Sequence, residues 1–540
     1  MTDESPKESH VRDTPGKILE SLCLIGVFIA LFMMIWSALD VFSIPYGLDF
    51  GEGYLANMSL ELVKGNDVYG PIDEAPYIVN SYPPLYPLVT GLITSITGPS
   101  MIPGRFISSI SLMGILLMSF MLLRRMKTSL SVALIIPGVL LVFPWVLRWS
   151  VVVRVDTFGI FLALAGIYFW MRSGNIRDGI IASVLFGLAA LTKHSLLSAP
   201  AACIIYALLT RDSRALTRIP VVIGMIALPY IIAGLITGGG IFRHLFEYTA
   251  NAWFMDRFTM GFAEYVKSTW ILQFMAIAAM ITPGVTSGQK RLFTLYYMFT
   301  HLTLIAYGFE GSDTNYYIEP ILSTALLSGL LLNYLIAEGS SLADTKTLPT
   351  GKTIGYGIIL VVLIVGRFLN PLIESSAFQV HRMTPERLSR GIELIRLANA
   401  TPGQILSEDA SITFAAGKDV VFQPYIMSLL QRTGKWDQTD FVNTIRNREY
   451  SAILLRVNLE DPYNTEIPAP DLETAGFNRW TEEMERAILE NYELAASADI
   501  GTILNSSRPL GYEHMMFVYL PRRDSSTDQI QSDPLSTQGG

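Results

Sequence analysis

Residues 154–169 read RVDTFGIFLALAGIYF, a charged pair followed by an almost unbroken apolar run. The run approaches the roughly 20 residues that an α-helix needs to cross the hydrocarbon core of a bilayer. Charged groups at membrane depth cost several kcal/mol unless they are paired or face water. The stretch therefore predicts a spanning helix that begins at a polar surface.

The composition of the whole 540-residue chain agrees with a lipid-embedded protein. Hydrophobic residues make up 51% of the chain and charged residues 16%, whereas a soluble protein carries about 25% charged residues. The mean hydropathy is +0.39. The net charge of −8 argues against nucleic acid as a partner. The two cysteines, Cys23 and Cys203, lie in apolar runs, and no Cys/His spacing typical of a metal site is present.

The apolar runs predict eleven spanning helices in a domain that covers 18–370. A shorter apolar stretch, 84–97, begins at two prolines and is assigned to a juxtamembrane or re-entrant helix. The predicted spans are 18–39, 105–123, 128–147, 156–171, 178–191, 196–210, 219–237, 268–285, 292–308, 318–337 and 354–370.

The distribution of basic residues predicts the orientation. With residues 1–17 as a cytoplasmic tail before a retained signal-anchor, every inside segment is basic, as cytoplasmic loops usually are. If 84–97 crossed the membrane, the basic segment 124–127 would face outward. The sequence therefore predicts a multi-pass cell-membrane protein with a cytoplasmic N-terminus and an extracytoplasmic C-terminal domain.

Two regions are predicted outside the cytoplasm. The first outside loop, 40–104, is acidic before its juxtamembrane helices, and 371–523 alternates strand-like and helical runs typical of a small α/β domain. The Ser/Asp/Gln-rich stretch 524–540 is predicted to be disordered. The predicted strands are Val420–Phe422, Ala452–Arg456 and Met515–Leu520, and the predicted helices are Tyr425–Gln431, Phe441–Arg448 and Glu482–Tyr492.

This topology places the unusual polar clusters on one face, which predicts a polar cavity at the membrane surface. Each cluster also has a structural interpretation: solvated carboxylates, an ion pair at a helix start, a lysine that extends to the surface, or interfacial tyrosines. The clusters contain Asp49 and Glu52, Tyr82 and Tyr86, Arg154 and Asp156, Lys193 and His194, Asp256 and Arg257, and Glu310 to Glu319.

Five cations are predicted on this outer face, although basic residues otherwise favour the cytoplasmic side. They are Arg148, Arg154, Lys193, Arg243 and Arg257. Cations placed in this way indicate an anion, and a lipid-linked phosphate or diphosphate is the anion expected at that depth. Arginine binds phosphate in a bidentate manner.

The order of these motifs resembles that of the GT-C fold glycosyltransferases. It is most similar to the bacterial family 39 group, which includes dolichyl-phosphate-mannose protein mannosyltransferases and lipid A aminoarabinose transferases. The resemblance spans nearly the whole chain, although no single motif is highly specific. It is carried by LDFGEGYLANMSLELVKGNDVYGP (48–71), SYPPLYPL (81–88), RVDTFGIFLALAGIYF (154–169), LTKHSLLSAP (191–200), GSDTNYYIEP (311–320) and, in the outer domain, SEDASITFAAGKDVVFQPYIMSLLQRTGKWD (407–437).

The resemblance implies transfer of a sugar from a polyprenyl-phosphate donor, with an acidic residue of the first outside loop at the reaction centre. Many relatives have adjacent Asp-Glu there, whereas this chain has D-x-x-E, so Asp49 and Glu52 are both candidates. Glu52 is favoured because the Glu-Gly-Tyr that it begins matches the pattern better. Asp156 matches a second acidic position, and Lys193 a basic position suited to the donor phosphate.

The remaining roles follow the same resemblance. Arg154 and Arg257 are candidates to stabilise the leaving phosphate together with Lys193. Asn315, Tyr316 and Glu319 match a late outside motif, expected to be structural or to bind the acceptor, as are Tyr82 and Tyr86.

The expected reaction is an inverting displacement onto a lipid, glycan or protein acceptor. No cofactor is predicted besides the polyprenyl-phosphate sugar as co-substrate. No metal is assigned, because Asp49 and Glu52 alone supply no ligand set. A transporter or flippase for a lipid-linked sugar is the alternative, against which the absence of a visible inverted repeat argues. An inactive protein that keeps the fold is a third interpretation.

Overall fold

A computed structural model describes two compact units of the chain. The first comprises 1–71, 80–383 and 502–512, and the second comprises 72–79, 384–501 and 513–540. The predicted domain boundary at 371 and the predicted disordered tail lie outside the described residues. The described residues are 14–172, 175–285, 290–338, 350–365, 383–456, 459–460, 479–503 and 512–523.

Apart from the strand ends at 502–503 and 512, the regular elements in the described part of the first unit are helices. Long helices alternate with short ones, and the first outside loop contains two helices of its own. The helices are Thr14–Phe42, Phe50–Lys64, Leu85–Thr97, Ile102–Arg125, Leu130–Val139, Pro144–Val151, Asp156–Arg172, Ile176–Thr192, Ser198–Thr210, Ser213–Leu216, Ile219–Ile236, Gly240–Phe242, Met255–Ile281, Lys290–Leu302, Ile318–Glu338 and Gly351–Ile364. Short 3-10 turns occupy Leu140–Val142, Thr303–Gly308 and Thr314–Tyr317, and Arg243–Glu247 forms one π-helical turn.

Four of the described helices are long and apolar enough to cross a membrane, or five if one bent pair counts as a span. They are Thr14–Phe42, Ile102–Arg125, Ser213–Ile236 and Thr314–Ala337. This confirms a polytopic helical protein, while the number of eleven spans stays a prediction.

The helix at the predicted span 128–147 is bent in the structure, and whether the bent pair is one span stays a prediction. Leu130–Val142 and Pro144–Val151 meet at 81°. Phe143 between them is extended, with φ −85° and ψ 117°. Proline disfavours the helical conformation of the residue before it, so Pro144 starts a second helix in a new direction.

The residues around Asp49 form the start of a helix within the first outside loop. Asp49 is the N-cap of Phe50–Lys64, and Glu52 at the third helical position completes a capping box. The helix packs closely against Leu85–Thr97, where a Cβ on Gly91 would lie 2.0 Å from the carbonyl oxygen of Ser59.

The second unit has a four-stranded sheet in the order β1-β2-β4-β3. The strands are β1 Gln404–Ser407, β2 Tyr450–Leu455, β3 Tyr492–Ile503 and β4 Tyr512–Pro521. β1 and β2 are parallel, and β2 and β4 are antiparallel with Leu454 opposite Val518. The helices in the described part of this unit are Pro385–Ala400, Ala410–Ala415, Pro424–Arg432, Thr439–Arg446 and Glu482–Asn491. The predicted α/β domain is therefore confirmed.

The individual predictions for this unit have mixed outcomes. The strands predicted at 452–456 and 515–520 and all three predicted helices are confirmed in substance. The strand predicted at 420–422 is wrong, since Phe422 makes only an isolated bridge with Tyr77. β1 and β3 were not predicted; β1 has only four residues, and β3 contains alanines and a glycine that give no clear strand signal.

A segment of the first outside loop belongs to this second unit. The Tyr77 amide donates to the Val421 carbonyl at 2.9 Å, and the Gln423 amide donates to the Tyr77 carbonyl at 3.0 Å. The Tyr77 ring contacts three aromatic rings of the unit, those of Phe422, Trp436 and Phe441. Residues 72–79 are thus held in the unit by backbone pairing and aromatic packing.

Candidate active site

Asp49 lies at the centre of a group of buried charges. Its Oδ1 accepts hydrogen bonds from the Gly51 amide, at 3.0 Å, and from Arg154, while its Oδ2 lies 3.6 Å from Nη2 of Arg148. Burial alone would raise the pKa of Asp49, but Arg154 and Arg148 outweigh it and hold the pKa below its ordinary value. The carboxylate is therefore ionised at neutral pH.

Glu52 has a different environment, although it lies only one helical turn away. Its carboxylate is completely buried and accepts from Nε and Nη2 of Arg105, at 2.9 and 3.0 Å. It also accepts from three backbone amides, those of Leu48, Asp49 and Val153. Both oxygens are fully engaged, so the geometry favours Asp49 over Glu52 as the residue that meets a substrate.

The fully buried Arg105 explains why Glu52 is held there. Its guanidinium donates to three backbone carbonyls that end the first helix and begin the first outside loop, those of Val41, Ile44 and Tyr46. The pair therefore fixes the connection between Thr14–Phe42 and Phe50–Lys64. Arg105 was not singled out in the sequence because it stood at the end of a predicted apolar span.

Two arginines face Asp49 from the aromatic surface of Trp149. The guanidinium carbons of Arg148 and Arg154 lie 4.5 and 5.1 Å from the centroid of the Trp149 ring. Arg154 also donates from Nη1 to the Tyr82 hydroxyl at 2.9 Å, and Arg148 lies 3.6 Å from Oδ2 of Asp313. The indole thus orients two like charges toward one carboxylate.

A second group of charges surrounds Asp156. Its Oδ1 accepts from Nζ of Lys193 at 2.7 Å and from the Asn315 side chain at 3.0 Å. Nζ of Lys193 also lies 4.3 Å from the centroid of the Tyr316 ring. Among the described residues Oδ2 of Asp156, which is buried, has no hydrogen-bond partner. This oxygen is available to accept a hydrogen bond from a substrate.

The two groups of charges meet at Tyr82. Burial raises the pKa of the Tyr82 hydroxyl, and the charges of Arg154, Asp156 and Lys193 all act on it. We call the assembled set of three cations and three carboxylates the charge cluster. It consists of Arg148, Arg154, Lys193, Asp49, Asp156 and Asp313.

One short stretch supports the charge cluster at four successive positions. Asp313 faces Arg148, Thr314 accepts from Nε1 of Trp149 at 3.0 Å, Asn315 donates to Asp156, and Tyr316 contacts Lys193. The motif GSDTNYYIEP (311–320) therefore contacts the charge cluster, while its structural or acceptor-binding role stays a prediction. Arg148 and Asp313 were not assigned as site residues, although both stand in polar patterns on the predicted outer face.

Three predicted site residues make hydrogen bonds outside the charge cluster. Tyr86 is fully buried and donates to the Gly104 carbonyl at 2.9 Å. Glu319 accepts from the Tyr296 hydroxyl at 3.1 Å, and Arg257 donates to the Ser312 carbonyl at 3.1 Å. These contacts favour supporting roles, with Arg257 one residue removed from Asp313.

Gly51 offers a test of this geometry. A Cβ at this position would lie 2.6 Å from Nη2 of Arg154, so we expect Gly51→Ala to displace the guanidinium from Asp49. Transfer is expected to fall by about 10- to 100-fold, with the melting temperature nearly unchanged. Gly224→Ala, where no atom lies within 4 Å, is the matched control. Wild-type transfer by Gly51→Ala would contradict the proposed importance of the Asp49–Arg154 pair.

In the described parts of the chain, no group of three or more His, Cys, Asp or Glu side chains comes together to hold a metal ion. The acids of the charge cluster face arginine and lysine instead. Their negative charge is thus balanced by cationic side chains.

Comparisons with known proteins agree with this architecture. Residues 81–236 match the family model of dolichyl-phosphate-mannose-protein mannosyltransferase. The matched segment includes Tyr82, Arg148, Arg154, Asp156 and Lys193, but not Asp49 or Asp313. No curated protein sequence matches the chain.

Solved structures are similar over most of the chain. ArnT from Cupriavidus metallidurans bound to undecaprenyl phosphate matches with a TM-score of 0.57 and 12% identity, over 91% of this chain and 97% of that one. Its apo structure matches with a TM-score of 0.54 and 11% identity over the same shares. The oligosaccharyltransferase of Archaeoglobus fulgidus with zinc and sulfate matches with a TM-score of 0.50 and 10% identity, over 93% of this chain and 75% of that one.

Identities this low show the fold, and the family model adds an independent match in sequence. The chain therefore has a fold similar to that of the GT-C membrane glycosyltransferases, and its residues 81–236 are also similar in sequence to the mannosyltransferase family.

Proposed function

We propose that the protein transfers a sugar from a polyprenyl-phosphate donor to a lipid, glycan or protein acceptor outside the cytoplasm. The observation that carries the proposal is the charge cluster, in which arginine and lysine side chains converge beside two buried aspartates. A similar fold with undecaprenyl phosphate bound supports the donor class. The transporter alternative is not favoured, because the similar solved structures are those of transferases.

The proposed chemistry is a single displacement at the anomeric carbon. The acceptor oxygen or nitrogen forms the new bond, the bond from the anomeric carbon to the phosphate oxygen breaks, and its electron pair leaves with the lipid phosphate. Asp49 takes the acceptor proton. Arg148, Arg154 and Lys193 stabilise the charge that develops on the phosphate, and Asp156 orients Lys193 with one oxygen and a substrate hydroxyl with the other.

The pairing of Asp49 with two arginines has a consequence for its basicity. A carboxylate held below its ordinary pKa by Arg154 and Arg148 is a weak base. A donor phosphate that attracts the same guanidinium groups weakens their hold on Asp49 and raises its pKa. Asp49 therefore becomes a stronger base when the donor binds. Before the donor is present, Asp49 takes a proton from the acceptor less readily.

The orientation of the protein is part of the proposal. The N-terminal tail faces the cytoplasm, and the charge cluster and the C-terminal unit face the opposite side. The basic inside segments support this orientation. Modification of single introduced cysteines by an impermeant reagent tests it, with Lys64→Cys labelled from outside and Lys127→Cys protected.

The test of the function is a transfer assay with purified full-length protein, radiolabelled polyprenyl-phosphate sugars and a membrane extract that supplies acceptors. Transfer that requires the lipid phosphate supports the proposal. Movement of the intact lipid-linked sugar across proteoliposomes, with no sugar transferred, would support the transporter instead.

Lys193→Gln is expected to weaken donor use in this assay. Loss of the ammonium removes a contact to the phosphate, so we expect the KM for the donor to rise by about tenfold. The inhibition constant of sugar-free polyprenyl phosphate should rise in the same way. Lys64→Gln is the control, because Lys64 is half exposed and pairs with Glu61 on the surface. An unchanged KM and inhibition constant in Lys193→Gln would exclude Lys193 from phosphate binding.

A further inference from the structure

His244 joins two parts of the first outside loop that are ten residues apart in sequence. Its Nδ1 accepts from the Asn80 amide at 3.0 Å, and its Nε2 lies 2.8 Å from the Gly70 carbonyl oxygen. A backbone amide donates and a carbonyl accepts, so Nδ1 is unprotonated and Nε2 carries the hydrogen. The arrangement requires a neutral imidazole of one tautomer.

The surrounding contacts pin the same two parts of the loop together. The Asn80 side chain donates to the Val68 carbonyl at 2.7 Å, and the Tyr69 hydroxyl donates to the Tyr82 carbonyl at 2.8 Å. A Cβ on Gly240 would lie 2.1 Å from the Tyr69 carbonyl oxygen, so the helix turn at 240 approaches the loop as closely as glycine allows. We call residues 68–70, 80–82 and His244 the clasp.

The clasp lies where the chain leaves the first unit and returns to it. Pro71 and Asn80 belong to the first unit, whereas 72–79 belong to the second. Two residues after Asn80, Tyr82 presents its hydroxyl to Arg154, which binds Asp49. The chain thus enters the first unit at Asn80, and the clasp holds Asn80 and Tyr82 beside 68–70.

We propose that His244 is a positioning residue, which closes the clasp and thereby fixes Tyr82 against Arg154 for the sugar transfer. The inference rests on the proposed function for its effect on turnover. The His244 side chain is 1% exposed and packs edge-on against the rings of Tyr69 and Tyr248, on a π-helical turn at Arg243–Glu247. Such turns often occur at functional sites.

Protonation opens the clasp, because an imidazolium no longer accepts the Asn80 amide. Burial lowers the pKa of His244; the Gly70 carbonyl and Asp67 raise it, and Arg243 lowers it. The pKa in the folded protein therefore lies below the ordinary value of about 6.5. The rate of transfer is expected to be highest above that pH, where His244 is neutral. It should fall as the pH drops through the pKa that His244 has in the folded protein.

The test uses two substitutions in the full-length protein. His244→Phe keeps the ring packing but removes both hydrogen bonds, and we expect kcat to fall by about 10- to 100-fold. His244→Gln supplies an acceptor and a donor at similar spacing and does not titrate in this range. This variant should restore most of the turnover. Its rate should no longer show the fall at low pH that depends on protonation of His244. Equal loss in both variants, or no loss in His244→Phe, would overturn the proposal.

A double-mutant cycle separates positioning from general support of the fold. If His244 acts through Tyr82, adding His244→Phe to Tyr82→Phe costs far less than His244→Phe alone costs the wild type. Additive losses would overturn the proposal.

Selective ¹⁵N-histidine labelling gives a readout that needs no activity. The signal absent from His244→Phe should report an unprotonated Nδ1 and a protonated Nε2 at pH 7, and an imidazolium there would refute the clasp. If the wild type transfers no sugar, the proposed function fails while this signal still decides the clasp.

Discussion

Asp49→Asn is expected to lower kcat by about 10²- to 10⁴-fold, the usual contribution of a general base. The amide keeps the size of the side chain and its capping position at Phe50–Lys64, but it cannot take the acceptor proton. Arg148 retains Asp313 and Arg154 retains Tyr82 in the variant. The buried cations thus keep polar partners, and we expect the protein to fold.

The measurement is the rate of transfer at saturating donor, with the melting temperature of the detergent-solubilised protein as the check on folding. The donor KM is expected to change less than kcat, because the phosphate is bound by the cations. Glu61→Gln serves as the control, since Glu61 lies on the same helix and makes a partly exposed ion pair with Lys64. A folded Asp49→Asn protein with wild-type kcat would exclude Asp49 as the base.

The sequence motif favours Glu52 as the base, whereas the contacts in the structure favour Asp49. Asp49 and Glu52 form the D-x-x-E pattern of a capping box, which is a signal for a helix start. The choice between them depends on Arg105 and Val153, which are distant in sequence and approach Glu52 only after the helices pack. Spacing within one motif carries no information about such partners.

The convergence of polar motifs could be predicted from the topology that the basic residues indicate. Alternating basic inside segments placed Tyr82, Arg154, Asp156, Lys193 and Asn315 on one face, and the structure brings these residues together. The cation-binding surface of Trp149 and the pairing of Arg148 with Asp313 were not predictable. They depend on the bend at Phe143, which turns Pro144–Val151 by 81°.

That residues 72–79 belong to the second unit could not be predicted, for another reason. Residues 72–79 were assigned to the first outside loop by position in the chain, and nothing in their polarity shows that they join the second unit. The pairing of Tyr77 with Val421 and Gln423 joins segments far apart in sequence. Such long-range backbone pairing depends on how the side chains of the second unit pack. Here the aromatic rings around Tyr77 provide that packing.

Glu52→Gln is expected to reduce the stability of the protein rather than the chemical step. Removing one member of a buried ion pair typically costs about 3–5 kcal/mol, because the remaining charge has no partner. Arg105 would stay completely buried beside a neutral amide. The amide nitrogen would also face backbone N–H groups that now donate to a carboxylate oxygen, such as that of Leu48 at 2.6 Å.

The melting temperature and kcat per folded molecule together decide this prediction. We expect Glu52→Gln to melt well below the wild type while its folded fraction transfers sugar at a rate closer to wild type than that of Asp49→Asn. Glu61→Gln should melt close to the wild type, since a surface ion pair contributes about 0–1 kcal/mol. The opposite result, a stable Glu52→Gln protein without transfer, would return the role of base to Glu52 and require Arg105 to release its carboxylate when substrate binds.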